Sequence, residues 1–534
     1  MCRVASQVGA NALLDWLMPE PRTEPDPAFR TDPDPDPRTD PDPRTDPDPR
    51  TDPDPLRWPG YDDARAAART RTGANESVTV RTGALRGTDL LLVAVAWDFG
   101  FLGGSMGSDA GARIAAAYDA ATAARLPIVL LTATGGARMQ EGMASLVQMA
   151  STTAAQAAHA DAGLLQIAVL RHPTTGGVFA SHANLADLII AEPGATIGFA
   201  GPRVSAAMTG GPLPSGSHTA TGAHAAGLVD AVVERPGIVR YLAAVLLWST
   251  GVREDRAVQP AWVSGVVVDS FPSLPPPQPP GDAWAEVQRA RATDRARASQ
   301  LLDTERVDVA ATIRGDRAGG VDLAVKVVLA WWDTRSVVII AMDPAGGSIG
   351  PAGYRTAWRG LAIADRIGVP VVTIIDTPGA DASAAAEAGG IAHHVAATTA
   401  RLLAVRAPVV SLVLGEGGSG GALALAVADR LLLQEHATFS VIAPEGAAAI
   451  LHRDPSRAAE VAELLDPTAA RLESLGIADE VVPEPLGAEM VTAVEAVARH
   501  LGALSSVDPR ALAASRRQRW RRPLRHLEDP LTRG

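Results

Sequence analysis

The chain has 534 residues, a formal net charge of −12 and a hydrophobic content of 47%, so it is long enough for more than one domain with ordinary buried cores. Cys2 is its only cysteine, which excludes an internal disulfide and any cysteine-built zinc cluster. Lys326 is the only lysine, and no Gly-Lys-Ser/Thr exists, which excludes a P-loop.

No apolar run is long enough for a membrane span, because charge, proline or glycine interrupts each one. Asp15 and Glu20 break the apolar patch of the first twenty residues, so a secretory signal is not expected and the cytoplasm is. Thr23 to Pro55 carries eleven acids and four arginines, a net −7. The remainder is only mildly acidic, which gives no reason to expect nucleic acid as a partner.

In chain order, Met1 to Met18 reads as one short helix. RTDPDP then recurs from Arg30 to Pro55. Proline at every second or third position forbids ladders, and acidic repeats bury no core. This segment reads as a disordered tail, a solvated spacer. Asp62 to Thr72 reads as helix, and Ser77 to Val80 and Leu90 to Trp97 as strands. Gly103 to Gly107 opens a helix running to about Arg125. Pro127 to Thr132 is a buried strand that ends in Thr134-Gly-Gly-Ala-Arg138 and leads into a helix. Leu164 to Leu170 is the next strand, ending in Pro173-Thr-Thr-Gly-Gly177, and a small-residue helix is expected after it. Ala186 to Ala191 and Ala195 to Phe199 read as two more short strands.

Around Phe271 to Pro280 the composition becomes that of a linker, and beyond it the pattern restarts. GGSMG at Gly103 returns as GGSIG at Gly346, and Gly136 returns as Gly379, both at an offset of 243. Ala186-Asp187 returns as Ala428-Asp429 and Pro202 as Pro444, at 242. Gly176-Gly177 meets Gly420-Gly421 at 244. The chain therefore reads as two copies of one α/β domain. The expected divisions are a tail over 1–60, a first domain over 61–250, a linker over 251–285, a second domain over 286–505 and an arginine-rich segment over 506–534.

The stretch Gly415 to Arg430, GEGGSGGALALAVADR, follows a buried strand. Three chemistries fit it. GEGGSG with Glu435 twenty residues on matches a dinucleotide fingerprint. Gly417 to Gly421 matches the G-x-S-x-G of a nucleophilic serine. Backbone amides of Gly420 and Gly421 at a helix start could stabilise an oxyanion. The duplication favours the third, because both copies share strand, glycine pair and helix, whereas the fingerprint and the serine occur only in the second. Tight packing without chemistry stays open. His393 and His394 fall on different helix faces and make poor metal partners, and no metal is expected. Arg510 to Arg525 holds seven arginines and no acids, and reads as a solvated or intersubunit helix.

Gly103-Gly-Ser-Met-Gly-Ser, Gly135-Gly-Ala-Arg-Met-Gln-Glu-Gly142, Pro173-Thr-Thr-Gly-Gly and Ile197-Gly-Phe-Ala-Gly-Pro-Arg203 resemble the beta subunit of bacterial acetyl-CoA carboxylase carboxyltransferase. Ile375-Asp-Thr-Pro-Gly-Ala, Gly415 to Leu425, Phe439-Ser-Val-Ile-Ala-Pro-Glu-Gly446 and Val482-Pro-Glu-Pro-Leu-Gly487 resemble its alpha subunit. The resemblance covers roughly Asp63 to Gly487. It implies a beta–alpha fusion of tandem crotonase-like domains that moves a carboxyl group from carboxybiotin to an acyl-CoA, normally acetyl-CoA, giving malonyl-CoA for fatty acid biosynthesis.

Under that resemblance the catalytic groups are the amides of Gly176 and Gly177 for the thioester oxygen and of Gly420 and Gly421 for the biotin oxygen. Gly135, Gly136, Ala137, Arg138, Thr175, Gly418 and Ser419 would contact substrate. The freed biotin nitrogen can be the base, so no side-chain nucleophile is needed. Lys326 lacks the flanking methionines of a biotinylated lysine. No covalent cofactor is therefore implied, and biotin arrives on a separate carrier protein charged by a separate biotin carboxylase. The family pairs copy one of one protomer with copy two of another, which implies a homodimer. The beta subunit's four-cysteine module has no counterpart here, and Asp343-Pro-Ala-Gly-Gly replaces the alpha subunit's basic stretch. A biotin-independent malonyl-thioester decarboxylase and an idle scaffold that binds a carboxylase partner are the alternatives.

Overall fold

A computed structural model describes residues 8–19, 54, 56–209, 211–251, 282–485 and 489–521. The RTDPDP repeats, Asp54 excepted, and the proline-rich stretch 271–280 lie outside the described residues. The chain divides into two units, Met1–Leu246 and Leu247–Gly534.

The first unit is built on a sheet whose strands are β1 (Val78–Ala84), β2 (Leu91–Trp97), β3 (Ile128–Thr134), β4 (Gln166–Thr175), β5 (Leu188–Ala191), β6 (Ile197–Gly198) and β7 (Ala231–Val232). The spatial order is β1-β2-β3-β4-β5-β7, with β6 paired to β4. Only β1 and β2 are antiparallel. Every residue of β3 is buried, as expected of a continuous apolar run covered on both faces.

Four helices matter here: α1 (Ala10–Leu17), α2 (Tyr61–Thr72), α3 (Ser108–Ala124) and α4 (Gln148–Asp161). The expected N-terminal helix is present as α1, and residues 1–7 lie outside the described residues. Its Leu13, Leu14 and Leu17 are fully buried. Arg171 donates to the Val8 carbonyl at 3.0 Å, which fixes the start of α1 to the end of the central strand. Gly111 of α3 faces Gln148; a Cβ there would sit 2.4 Å from the Gln148 Oε1. That absence of a side chain is what lets α3 and α4 pack closely.

The second unit repeats the plan. Its strands are β8 (Val307–Ile313), β9 (Val325–Trp332), β10 (Arg335–Met342), β11 (Val371–Thr377), β12 (Val409–Gly418), β13 (Arg430–Gln434), β14 (Thr438–Ser440) and β15 (Glu480–Val482). The order is β15-β13-β12-β11-β10-β9-β8, with β14 paired to β12. Strands β9 to β15 thus match β1 to β7 one for one, and β8 is an added antiparallel edge. The helices used below are α5 (Pro351–Ile367), α6 (Ile391–Ala404), α7 (Ser419–Ala426) and α8 (Pro509–Arg519).

The ladders correct one alignment made from sequence. Thr134 pairs with Thr174 in the first sheet, and Thr377 with Gly417 in the second. Thr175 pairs with Gly198, and Gly418 with Ser440. The residues of β4 and β12 in both sets, Thr174 with Gly417 and Thr175 with Gly418, are 243 apart, while their β6 and β14 partners are 242 apart. Gly176 therefore corresponds to Ser419 and Gly177 to Gly420, one residue away from the pairing at 244. The identical Gly-Gly letters had pulled the alignment out of register.

A candidate oxyanion site in each unit

Both sites sit where two parallel strands end side by side. In the first unit β3 ends in Gly135-Gly136-Ala137 and β4 ends in Gly176-Gly177. Gly136 has φ 112° and Gly176 has φ 71°, values that favour glycine. The two turns touch: a Cβ on Gly136 would lie 2.9 Å from the Gly176 Cα and 3.0 Å from the Gly177 nitrogen.

The hydrogen bonds reassign the donors. The Gly176 amide donates to the Phe199 carbonyl at 2.9 Å, so it belongs to the sheet and not to a ligand. The Gly136 amide donates to Thr134 Oγ1 at 2.9 Å, and the Gly135 amide to the Gly103 carbonyl at 2.9 Å. Thr175 is buried with its hydroxyl on the Thr134 carbonyl at 3.3 Å. The half-buried Gly177 and Ala137 amides are left without an acceptor among the described residues. They are close, since a Cβ on Gly177 would lie 3.6 Å from the Ala137 nitrogen. Sequence reasoning had named both residues, but had put Ala137 in a binding role and Gly176 in the donor role.

The expected helix after Gly177 is also corrected. Residues 176–180 form turns, followed by the short 3-10 helix His182–Leu185. Gly177 therefore does not open an α-helix, whereas Gly420 lies in the first turn of α7.

Arg138 does not face a ligand either. Its guanidinium is fully buried and bonds Glu76, Glu141 Oε1 at 3.1 Å, Tyr61 Oη at 3.2 Å and the Ser105 carbonyl at 2.7 Å. Glu141 Oε2 in turn accepts the Ser108 amide at 2.6 Å, at the start of α3. Burial alone would raise the Glu76 carboxyl, but the Arg138 bond and charge outweigh it and hold it below the usual range. The network clamps the loop that carries the Ala137 amide. Glu76 and Tyr61 were not singled out from sequence, since they lie 62 and 77 residues from Arg138.

In the second unit the matching turns are Pro378-Gly379-Ala380 after β11 and Gly418-Ser419-Gly420 after β12. Gly379 has φ 137°, and Ser419 takes φ 56° where the first unit has Gly176. Gly418 caps α7, whose first turn contains Gly420 and Gly421. The first amides of a helix have no intrahelical acceptor. The two turns are packed backbone to backbone, since a Cβ on Gly421 would lie 2.3 Å from the Ala380 nitrogen. Gly420, by contrast, lines a cavity of about 760 Å³ together with the exposed Ser419, Leu423 and Val441 and the half-buried Phe439 and Trp520.

Against this geometry stand three comparisons. The acetyl co-enzyme A carboxylase carboxyltransferase-like family matches residues 282–523, and the carboxyl transferase domain matches residues 54–255. The acetyl-coenzyme A carboxylase carboxyl transferase subunits beta/alpha of Salinispora tropica is 41% identical over 485 residues, covering 86% of this chain and 84% of that protein. A probable biotin-dependent acyl-coenzyme A carboxylase beta3 subunit of Mycobacterium tuberculosis is 39% identical, covering 86% and 91%.

The chain belongs to the carboxyl transferase family of acyl-CoA carboxylases.

Its fold matches a transcarboxylase 12S solved with hydrolysed methylmalonyl-coenzyme A, with a TM-score of 0.70 at 22% identity, over 93% of this chain and 90% of that one. Sequence reasoning missed a cluster of ion pairs beside the second turn of this carboxyltransferase. In the stretch 289–297, Arg291 bonds Glu416 at 2.6 Å and Glu445 at 2.7 Å, Arg295 bonds Glu484 at 2.5 Å, and Arg297 bonds Asp376 at 2.9 Å. Asp376 Oδ1 also accepts the Glu416 amide at 3.2 Å. Burial raises the Asp376 carboxyl above its usual range, against the pull of Arg297. The arginines thus neutralise the acids beside the second turn. The recurring arginines of RARATDRAR were the available signal.

Among the described residues, the groups that the other two chemistries would need are engaged elsewhere. Ser419 sits at a strained strand-to-helix elbow, but the described histidines of its unit have other contacts. His394 bonds Arg355, His436 bonds Glu286, His452 bonds Arg457 and His500 bonds Glu480, and His393 packs on His394. Glu435 accepts the Glu484 amide at 3.2 Å and closes a loop. Among the described residues, no cluster of three or more His, Cys, Asp or Glu could hold a metal, and no helix is long and apolar enough to cross a membrane.

Proposed function

We propose that the chain transfers the carboxyl group of carboxybiotin, delivered on a carrier protein, to acetyl-CoA or a close acyl-CoA, in the cytoplasm and in fatty acid biosynthesis. The observation that carries this reading is the pair of unengaged amides, Gly177 and Ala137, at touching turns, with a matching pair of turns in the second unit. Removing the proton next to a thioester carbonyl puts negative charge on its oxygen. Two fixed peptide N–H groups stabilise that charge without reorganising. In this reading the first unit holds the thioester oxygen, and Gly420 with Ala380 holds the ureido oxygen of the biotin. Carboxybiotin supplies the activated carboxyl group; the chain binds, orients and polarises.

A homodimer pairing the first copy of one protomer with the second of another is part of the proposal. It is supported by apolar residues exposed at matching positions of the two copies. Phe199 and Met208 are 73% and 82% exposed, and Val441 and Ile450 are 72% and 71%. The test is a panel of acyl-CoAs assayed with and without a biotinylated carrier and its carboxylase. Carboxylation that depends on the carrier is expected. Release of CO2 from malonyl-CoA without biotin would show the decarboxylase instead, and tight CoA binding with no turnover would show a scaffold.

A further inference from the structure

The arginine-rich helix α8 is solvated on one face and buried on the other, where Leu512, Ala513 and Arg516 lie. Arg516 of α8 is fully buried and bonds both Asp429 oxygens, at 3.0 and 2.6 Å. It also donates to the carbonyls of Leu402, Val405 and Ala407 at 2.7 to 2.8 Å, at the open end of α6. Asp429 Oδ2 accepts the Val409 amide at 2.8 Å, at the start of β12. A buried guanidinium paired this way is costly to displace. Arg519 adds a bond to Asp479 at 2.6 Å. The segment is therefore locked to the strand that ends in Gly418.

This docking places Trp520 at the cavity that Ser419 and Gly420 also line. The indole Nε1 donates to the Ala428 carbonyl at 3.0 Å, and the Arg519 guanidinium lies 5.5 Å from the ring centroid. A ring held at its polar edge is a fixed surface rather than a mobile cover. Around it stand Phe439, Leu464, Leu472 and Ile477. The result is a mainly apolar cavity, with Glu463, Asp466 and Arg471 also on its wall and the start of α7 at Gly420 bordering it, of a size suited to a small molecule.

We infer that Trp520 is a binding residue of the second site, forming the wall against which the fused rings of biotin lie while the ureido oxygen meets the Gly420 end. This rests on the proposed carboxyl transfer. The C-terminal segment is then part of the biotin pocket. A ring pair aligned along an aromatic face, with its carbonyl directed at the helix start, satisfies both ends of the chamber.

The experiment is the reverse half-reaction, in which malonyl-CoA and free biotin give acetyl-CoA and carboxybiotin. Trp520→Ala should raise KM for biotin about tenfold, with KM for malonyl-CoA unchanged. Trp520→Phe, which keeps a ring, should recover most of the loss. Leu464 is 74% exposed on the same cavity, so Leu464→Arg narrows the chamber without disturbing the core and should raise the same constant. Unfolding midpoints are compared with wild type. An unchanged biotin KM in folded Trp520→Ala, or in Leu464→Arg if the first variant does not fold, overturns the inference. Wild-type protein that never carboxylates biotin would instead defeat the underlying proposal.

Discussion

Gly420→Val separates chemistry from folding at the second site. Gly420 lies in the first turn of α7 with no positive φ, and the nearest atom to an added Cβ would be Val395 Cγ1 at 3.8 Å. That is ordinary contact. Replacing a helical glycine also recovers a few tenths of a kcal/mol of helix propensity. The folded state should therefore change by less than about 1 kcal/mol. The same residue lines the 760 Å³ cavity, so a branched side chain beside its amide should crowd an oxygen seated there. Loss of one oxyanion donor typically costs a factor of about 10² to 10³ in kcat. The assay is malonyl-CoA-dependent biotin carboxylation beside urea unfolding. A stable variant that has lost at least about a hundredfold in kcat is expected. A stable variant with wild-type turnover would refute the reasoning. Gly421→Ala is the contrast: its methyl would meet the Ala380 nitrogen at 2.3 Å, so it should destabilise the second unit as well as inactivate it.

Other consequences can be checked separately. Arg138→Met strands Glu76 and Glu141 in the core and should cost about 3–5 kcal/mol in chemical denaturation, with activity lost together with the fold. Gly136→Ala forces a side chain to φ 112° against the Gly176 Cα, and should lower kcat with acyl-CoA far more than an exposed substitution such as Val491→Ala. The Glu480 carboxyl is held down to about 2 by His500 and Arg499. A depressed carboxylate stabilises the fold above its ordinary pKa near 4.5. This stability should therefore be present at neutral pH and fade as pH falls from about 5 towards 2, and Glu480→Gln should flatten that part of the melting profile. His436 is raised by its bond to Glu286. Its contribution is therefore complete below about pH 6.5 and lost as pH rises past the folded pKa, and His436→Ala should remove that trend.

Much of this was legible from the residues. The duplication shows in repeated letters, and the sheets repeat strand for strand. Apolar runs such as Pro127 to Thr132 and Leu164 to Leu170 announced the buried strands β3 and β4, because covered parallel strands need little else. The site was legible as a location but not as a set of donors. Which amide is free depends on where Phe199 folds back, a contact between residues 23 apart in a turn that sequence cannot place. The helix expected after Gly177 is replaced by turns, although the small residues looked the same as in α7. Arg138 and Arg516 looked like surface or binding residues because arginine usually is. Their burial depends on partners 62 and 87 residues away.

The most direct test is a crystal structure of the chain with an acyl-CoA and biotin bound. The account predicts the thioester oxygen about 2.7–3.1 Å from the Gly177 and Ala137 nitrogens, and the ureido oxygen at the Gly420 end of the second cavity. A thioester carbonyl seated away from both amides, in a turnover-competent crystal, would contradict it.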